Sequence, residues 1–291
     1  MGTPIYCDLG KLARDLFKVG YHPGLWQLDC KTMTSSGLEF FTSGFANQDA
    51  SKVMGSLQSK YKVEDYGITL TERWNTENLL YGQILQKDKL AEGLMLMAEA
   101  SFQPSSGDKS AKLMADLAKD NFNILGKGGI NKGQPFVGGS LVVAHKEFYG
   151  GVALDYNIDD SNLVWKLGLG WTNESTTIHS ELVNAEGWLV SLFHKANDQI
   201  DLGFEIGKPM SAGGGEGGEE QQSELNIGLG MIYHLEADAL IRAKINNKVE
   251  VGLGYQQKLR EGITMSISTV IDGMNITDGN HKFGVGLSLQ C

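Results

Sequence analysis

Glu72 is the residue whose placement most needs a chemical reason. In GITLTERW it alternates with Ile68, Leu70 and Trp74 on one side, while Thr69, Thr71 and Arg73 take the other. Successive side chains of a strand point to opposite faces, so here a carboxyl group stands on an apolar face. If that face meets hydrocarbon, a charge costs a few kcal/mol, and chance placement is disfavoured. A bulge that turns Glu72 inward, or a strand end from which it reaches headgroups, would remove the cost. The other reactive residue types form no catalytic set. Six histidines are scattered, and no nucleophile–base constellation or carboxylate pair has a catalytic spacing, so no enzymatic reaction is expected. Cys7, Cys30 and Cys291 are odd in number and lack metal-ligand spacing, which argues against a disulfide framework and a zinc site. Neither metal nor cofactor is expected.

A second set of charges lies near the start of the chain. Tyr6, Leu9, Leu12, Ala13, Leu16 and Phe17 recur at steps of three and four, with Asp8, Lys11, Arg14, Asp15 and Lys18 between them. This spacing predicts an amphipathic helix from Tyr6 to Lys18. Gly20 is its C-cap candidate, and Pro23-Gly24 blocks any continuation. Such a helix could pack on its own domain, on a membrane or on a pore wall. Two glycine-rich stretches carry less. Gly126-Lys127-Gly128-Gly129 lacks Walker spacing and is expected to be a loop, and Gly213 to Glu220 (GGGEGGEE) a flexible acidic turn.

After Leu25 the period changes to two. Leu163, Trp165, Leu167, Leu169 and Trp171 alternate with Val164, Lys166, Gly168 and Gly170; Phe283, Val285, Leu287 and Leu289 alternate with Lys282, Gly284, Gly286 and Ser288. The 38 glycines against 5 prolines suit many short strands joined by tight turns. The apolar face often ends in Tyr or Trp, and the other face is Gly, Ser, Thr and single charges, as in a barrel with lipid outside and water inside. A soluble two-sheet sandwich also alternates and stays open as an all-β binding protein. No run of about 18 apolar residues predicts a spanning helix. The start of the chain lacks an apolar targeting core, and Asp8 and Asp15 disfavour a cleaved presequence. At about 14 residues per strand and turn, the chain beyond the helix makes about 19 strands. The expected organisation is therefore 1–24 for helix and linker and 25–291 for an all-β transmembrane barrel. A formal charge of -10 argues against a nucleic-acid partner.

Three stretches carry a resemblance: YCDLGKLARDLFKVGY with LWQLDCKTMTSSGLEF (residues 6–40), GSLQSKYKVEDYGITLTERWNTEN (55–78), and AKINNKVEVGLGYQQKLREGI through DGNHKFGVGLSL (243–289). They resemble the voltage-dependent anion channel family, the eukaryotic mitochondrial porins, strongly over residues 5–102 and 233–290 and more weakly between. The resemblance implies a 19-stranded barrel, a strand count known for this family, with the N-terminal helix folded into its lumen. It implies a voltage-gated pore for ions and metabolites, nucleotides included, in the mitochondrial outer membrane. It also commits KSAKLMADLAKD (109–120), which has helical spacing too, to a strand.

By the same resemblance, Lys11, Arg14, Asp15 and Lys18 would line the narrowed path, and Gly20 and Gly24 would act as a hinge that Pro23 stiffens. Glu72 matches a membrane-facing glutamate implicated in gating motions and in docking of hexokinase-type proteins. Gly93-Leu94-Met95 stands where the family has a nucleotide-contact element, degenerate here because methionine replaces its cation. Lys282, Gly284, Leu287 and Leu289 match the pattern read by the membrane's sorting machinery. Membrane lipids are implied partners, and a homo-oligomer is a candidate state. The protein-import barrel of the same membrane is the alternative within this fold. Candidate lumen charges are Asp155, Lys166, Glu205, Arg242, Lys244 and Glu250, and with the acidic balance they suggest a pore of reduced anion preference or one that prefers cations.

Overall fold

Nineteen strands and a short N-terminal helix make up the computed structural model, which describes residues 3–47, 53–209, 224–277, 279 and 281–290. The acidic segment 213–220 and Cys291 lie outside the described residues. The helix is α1 (Lys11–Lys18), and β1 (Leu25–Met33), β2 (Leu38–Asn47), β3 (Val53–Val63), β4 (Ile68–Asn75) and β5 (Leu80–Lys87) follow. Next come β6 (Leu94–Gln103), β7 (Asp108–Ala118), β8 (Phe122–Asn131), β9 (Gln134–His145), β10 (Phe148–Asn157), β11 (Asn162–Thr172) and β12 (Thr176–Val183). The last are β13 (Gly187–Lys195), β14 (Ile200–Lys208), β15 (Asn226–Glu236), β16 (Ala239–Asn246), β17 (Glu250–Arg260), β18 (Ile263–Asp272) and β19 (Lys282–Gln290).

Each strand pairs antiparallel with the next, and β19 pairs parallel with β1, Trp26 opposite Val285 and Leu28 opposite Leu287. With an odd number of strands the two ends run the same way, so closure requires one parallel seam. Closure leaves no edge strand with unpaired backbone groups. The expected all-β barrel is therefore observed, and a two-sheet sandwich is excluded. Of residues 109–120, those up to Ala118 are strand as expected, in β7, and Lys119 and Asp120 form the turn that follows.

Two local expectations are corrected. Gly126 to Gly129 lie inside β8, not in a loop, because each pairs across both neighbours: Gly126 with Ala115 and Gly139, Gly129 with Lys112 and Phe136. The N-terminal helix is also shorter than its periodicity predicts. Tyr6–Asp8 form a single 3-10 turn, and α1 starts only at Lys11, because Gly10 at φ 66° breaks the run between them.

The register sorts side chains consistently around the ring. Leu113, Leu167, Leu169, Leu229 and Leu253 face out, while Lys112, Lys166, Gly168, Gly230 and Gly252 face in. Leu113 and Leu169 are 67 % and 66 % exposed, and they belong to an apolar belt that only hydrocarbon would cover. Inside there is no filled core. Among the described residues, the small buried apolar clusters form where the N-terminal segment lies on the wall. Cys7 is exposed on the lumen side, whereas Cys30 alternates outward between the inward Asp29 and Lys31. In membrane-inserted Cys291→Ser protein, a membrane-impermeant maleimide is expected to modify Cys7 and to leave Cys30 unmodified until detergent is added.

Candidate functional site

The N-terminal segment crosses the lumen and is held at three places. At one mouth the Thr3 amide donates to the Lys119 carbonyl at 2.8 Å, and the Thr3 hydroxyl to the Asp120 carbonyl at 2.9 Å. In the middle, Tyr6 and Leu9 pack against Val142, with Tyr149 and Ala153 beside them. Further along, Leu16 and Phe17 pack against Ile232, Phe193 and Leu240. Leu16 is 1 % exposed, whereas Leu12, on the same predicted apolar face, is 52 % exposed to the lumen. The seat therefore uses a narrower stripe than the sequence pattern offered.

Paired glycines make this seat possible. Gly151 lies directly opposite Gly168 on β10 and β11, and a Cβ on either would meet the Tyr6 ring within 3.2 Å. Gly203 lies opposite Gly230 on β14 and β15, and a Cβ on either would press into Leu16. Without side chains there, a helix can approach the sheet closely enough for its leucine to make contact. These glycines were not singled out from the sequence. Their signal was present in the polar phase of consecutive strands, which carries glycine where a water-filled wall would tolerate any polar residue.

The C-terminal end of α1 is fixed by charge. Lys244 Nζ donates to the Phe17 carbonyl at 2.6 Å and sits 4.1 Å from the centroid of the Tyr21 ring. A cation at this end satisfies an orphan carbonyl and complements the helix dipole. Gly20, at φ 83°, passes so close over Arg242 that a Cβ would lie 2.7 Å from its Nε. The linker is pinned as well: the His22 amide donates to Ser268 Oγ at 2.8 Å, and Tyr21 is buried, its phenol pushed up to about 12 by that burial. Gly24, at φ 70°, leads into β1. The hinge candidates thus occupy conformations suited to glycine, within a linker fastened to the wall.

The six candidate lumen charges all face in, but only part of the set meets open water. Glu205, Arg242 and Lys244 lie beneath the end of α1 or its linker, where Glu205 is close to Phe17 and to the charges of Lys18 and Lys244. Asp155 pairs with Lys127 at 2.6 Å, Lys166 approaches Glu181 at 3.9 Å, and Glu250 accepts from Asn246 at the strand end. On α1, Lys11 and Lys18 are exposed, and Lys11 lies 3.9 Å from Asp8. Arg14 and Asp15 are half-buried, and Arg14 turns back to donate to the Cys7 carbonyl at 2.6 Å.

The chain's acidic excess does not follow the pore wall. Lumen-facing strand positions mix the signs closely, as in Lys31 and Lys62 around Glu39, or Lys112 beside Glu99. Acids dominate instead in the turns. At the mouth where β1 ends, Glu64, Asp65, Asp88, Glu92, Asp120, Glu147, Glu174, Asp198, Asp238 and Glu261 outnumber Lys89, Lys119 and Lys146. The whole-chain charge is therefore a poor guide to what a permeating ion meets.

Glu72 faces outward near the middle of β4, opposite Ser59 on β3 and Gly82 on β5, and no register shift turns it inward. Gly93 closes the β5–β6 turn at φ 80°, with Leu94 facing out and Met95 in. Lys282 and Gly284 face the lumen and Leu287 and Leu289 the outside. Their strand also closes the barrel, and Gly284 lies directly under the His22 carbonyl.

A family model described as eukaryotic porin matches residues 2–284. Over its full length the chain is 41 % identical to the voltage-dependent anion-selective channel of Drosophila melanogaster, all of which it covers. It is 35 % identical to the non-selective voltage-gated ion channel VDAC3 of Rattus norvegicus, across 99 % of each chain. Identity to the VDAC1 channel of Homo sapiens, which bears the same description, is 34 % across 99 % of this chain and 98 % of that protein.

The glycine seat can be tested directly. Gly230→Leu should push Leu16 and Phe17 off the wall, and each ~1.4 kcal/mol lost from the seat raises the released fraction about tenfold. Tryptic cleavage at Lys11, Arg14 and Lys18 is expected to accelerate by about that factor. Gly82→Ala, whose Cβ meets nothing within 4 Å, should leave it unchanged.

Proposed function

The chain belongs to the eukaryotic porin family, and from that premise we propose that it forms a voltage-gated aqueous pore for passive diffusion of ions and small metabolites across the mitochondrial outer membrane. One observation carries the reading: a closed barrel whose inner face is polar, with an amphipathic helix laid along one side of its lumen. A helix so placed narrows the path without blocking it, and its exposed Lys11 and Lys18 act on passing ions at short range. Gating corresponds to a change in how the segment and its wall sit together. The pinned linker favours movement of helix and wall as one body over a helix swinging free.

The near balance of lumen charges supports a weakly selective pore, with the acidic turns adding cations to the mouths by attraction. Glu72 acts as a loosening element in the lipid-facing wall, and the rim near it is a candidate dock for hexokinase-type proteins. The outer face is also a candidate surface for pairing with a second copy. The β19 pattern of Lys282, Gly284, Leu287 and Leu289 serves both as sorting signal and as closing strand. Met95 provides no cation for nucleotide at the Gly93-Leu94-Met95 position.

In planar bilayers with unequal KCl, the channel is expected to conduct, to close stepwise as voltage rises in either direction, and to show a reversal potential close to zero. A strong chloride preference would refute the weak-selectivity reading while leaving the pore intact. Glu72→Gln should stabilise the lipid-inserted barrel by about 1–2 kcal/mol in urea unfolding. Unchanged stability would mean that headgroups or water already reach the group.

A further inference from the structure

On the lumen face of β6 and β7 four side chains form a two-by-two block. Met97 stands directly opposite Met114, and on the neighbouring rung Met95 stands opposite Asp116. Side chains directly opposite on paired strands have Cβ atoms about 4.5–5.5 Å apart, and those two residues along a strand about 7 Å. Three thioethers and one carboxylate therefore share a patch that flexible methionine side chains can span. Leu85 flanks Met97 on β5 and Leu125 flanks Asp116 on β8, so the surround is apolar although the lumen is wet. The clusters that seat the N-terminal segment include none of these residues.

Asp116 gives the block its charge. It is 7 % exposed, and Asn123 Nδ2 donates to its Oδ1 at 2.8 Å. The nearby cations are committed elsewhere, Lys112 to Glu99 at 3.2 Å and Lys127 to Asp155 at 2.6 Å. Lys87, opposite Met95, reaches Asp116 only as a longer-range charge, and among the described residues none forms an ion pair with it. Asn123 is itself 1 % exposed, and its Oδ1 finds no donor. The block thus borders a buried carboxylate and a buried amide oxygen, each short of a partner. A carboxylate buried without a counter-charge is costly, and a cation held among the thioethers removes that cost.

We propose that this block is a binding site for Cu(I), a soft monovalent cation. Thioether sulfur selects Cu(I), whereas calcium and magnesium need sets of oxygens and zinc prefers imidazole and thiolate. Among the described residues no three His, Cys, Asp or Glu side chains gather to hold an ion, so harder metals have no comparable site there. One Cu(I) neutralises the one carboxylate and leaves the block without net charge. Met97 Sδ accepts from Gln83 Nε2 at 2.9 Å. A thioether is a weak acceptor, so the ion displaces this bond as the side chain turns toward Met114. The site draws on the register of β6 and β7 and goes beyond the pore reading, since neither gating nor ion selectivity requires it.

The test is Cu(I) binding to the refolded full-length chain in detergent micelles, with Cys7, Cys30 and Cys291 replaced by serine so that no thiol competes. Ascorbate keeps the copper reduced, and bicinchoninate, a chromogenic Cu(I) chelator, competes for it. One Cu(I) per chain is expected, with sulfur dominating its X-ray absorption fine structure, and excess Zn(II) should not displace it. Met97→Leu and Met114→Leu conserve volume, so circular dichroism should stay unchanged while each weakens binding about tenfold or more. Asp116→Asn, which removes the charge, should weaken it about fivefold. Met265→Leu alters a lipid-facing methionine on β18, opposite Leu287, and should change it less than about twofold. Failure to hold Cu(I) against the chelator overturns the site. So does binding that survives Asp116→Asn or the combined Met95→Leu, Met97→Leu and Met114→Leu, that falls as far in Met265→Leu, or that Zn(II) abolishes. Conductance in KCl is recorded separately: its absence overturns the pore reading and leaves the copper result standing.

Discussion

A strand in hydrocarbon has no water to satisfy its amides and carbonyls, so every backbone group of a spanning sheet must find a partner in the sheet. That constraint shapes most of what the chain does. It forces the β19–β1 pairing, and with an odd strand count it forces that pairing to be parallel. Once the ring closes, strict alternation assigns each residue to oil or water. Apart from shifts at the ends of β15 and β17, the register runs consistently from the Trp26 and Val285 pair around to Leu289 opposite Ile263. A single slip would send every following apolar residue into the lumen.

Closure also creates a problem that the N-terminal segment resolves in part. A polar wall facing water offers nothing to pack against, yet Tyr6, Leu9, Leu16 and Phe17 need cover. The glycine pairs, with Val142, Ile232, Phe193 and Leu240, supply small apolar landing places within a wet surface. Lys244, Arg242 and Ser268 then fix the exit of the helix and the linker after it. The same arrangement takes three charged groups of the wall away from the permeation path. One side of the lumen becomes a seat, and the β3–β5 wall stays open to water.

Charge is distributed by the same geometry. Residues in strands are constrained by their neighbours across the ladder, where opposite signs pair favourably. Turns carry no such constraint, and acids accumulate there. An acidic protein and a balanced pore are thus compatible, because net charge counts rim and lumen together and an ion in transit does not.

Closure and register decided barrel over sandwich and the outward side of Glu72. Legible in the residues alone were the alternating strands, their oily and wet faces and an N-terminal amphipathic segment. Those follow from periods of two and of 3.6, which local chain geometry enforces, and the resemblance at both ends supplied the family. Periodicity could not place the break at Gly10, because apolar spacing is unchanged whether or not a left-handed residue interrupts the helix. It could not recognise Gly126 to Gly129 as strand, since only pairing with β7 and β9 overrides the turn preference of glycine. Nor could it tell which lumen charges stay free. Glu205 and Lys244 read like Lys60 and Arg73 in one dimension; barrel closure puts the first pair under the helix and leaves the second facing water.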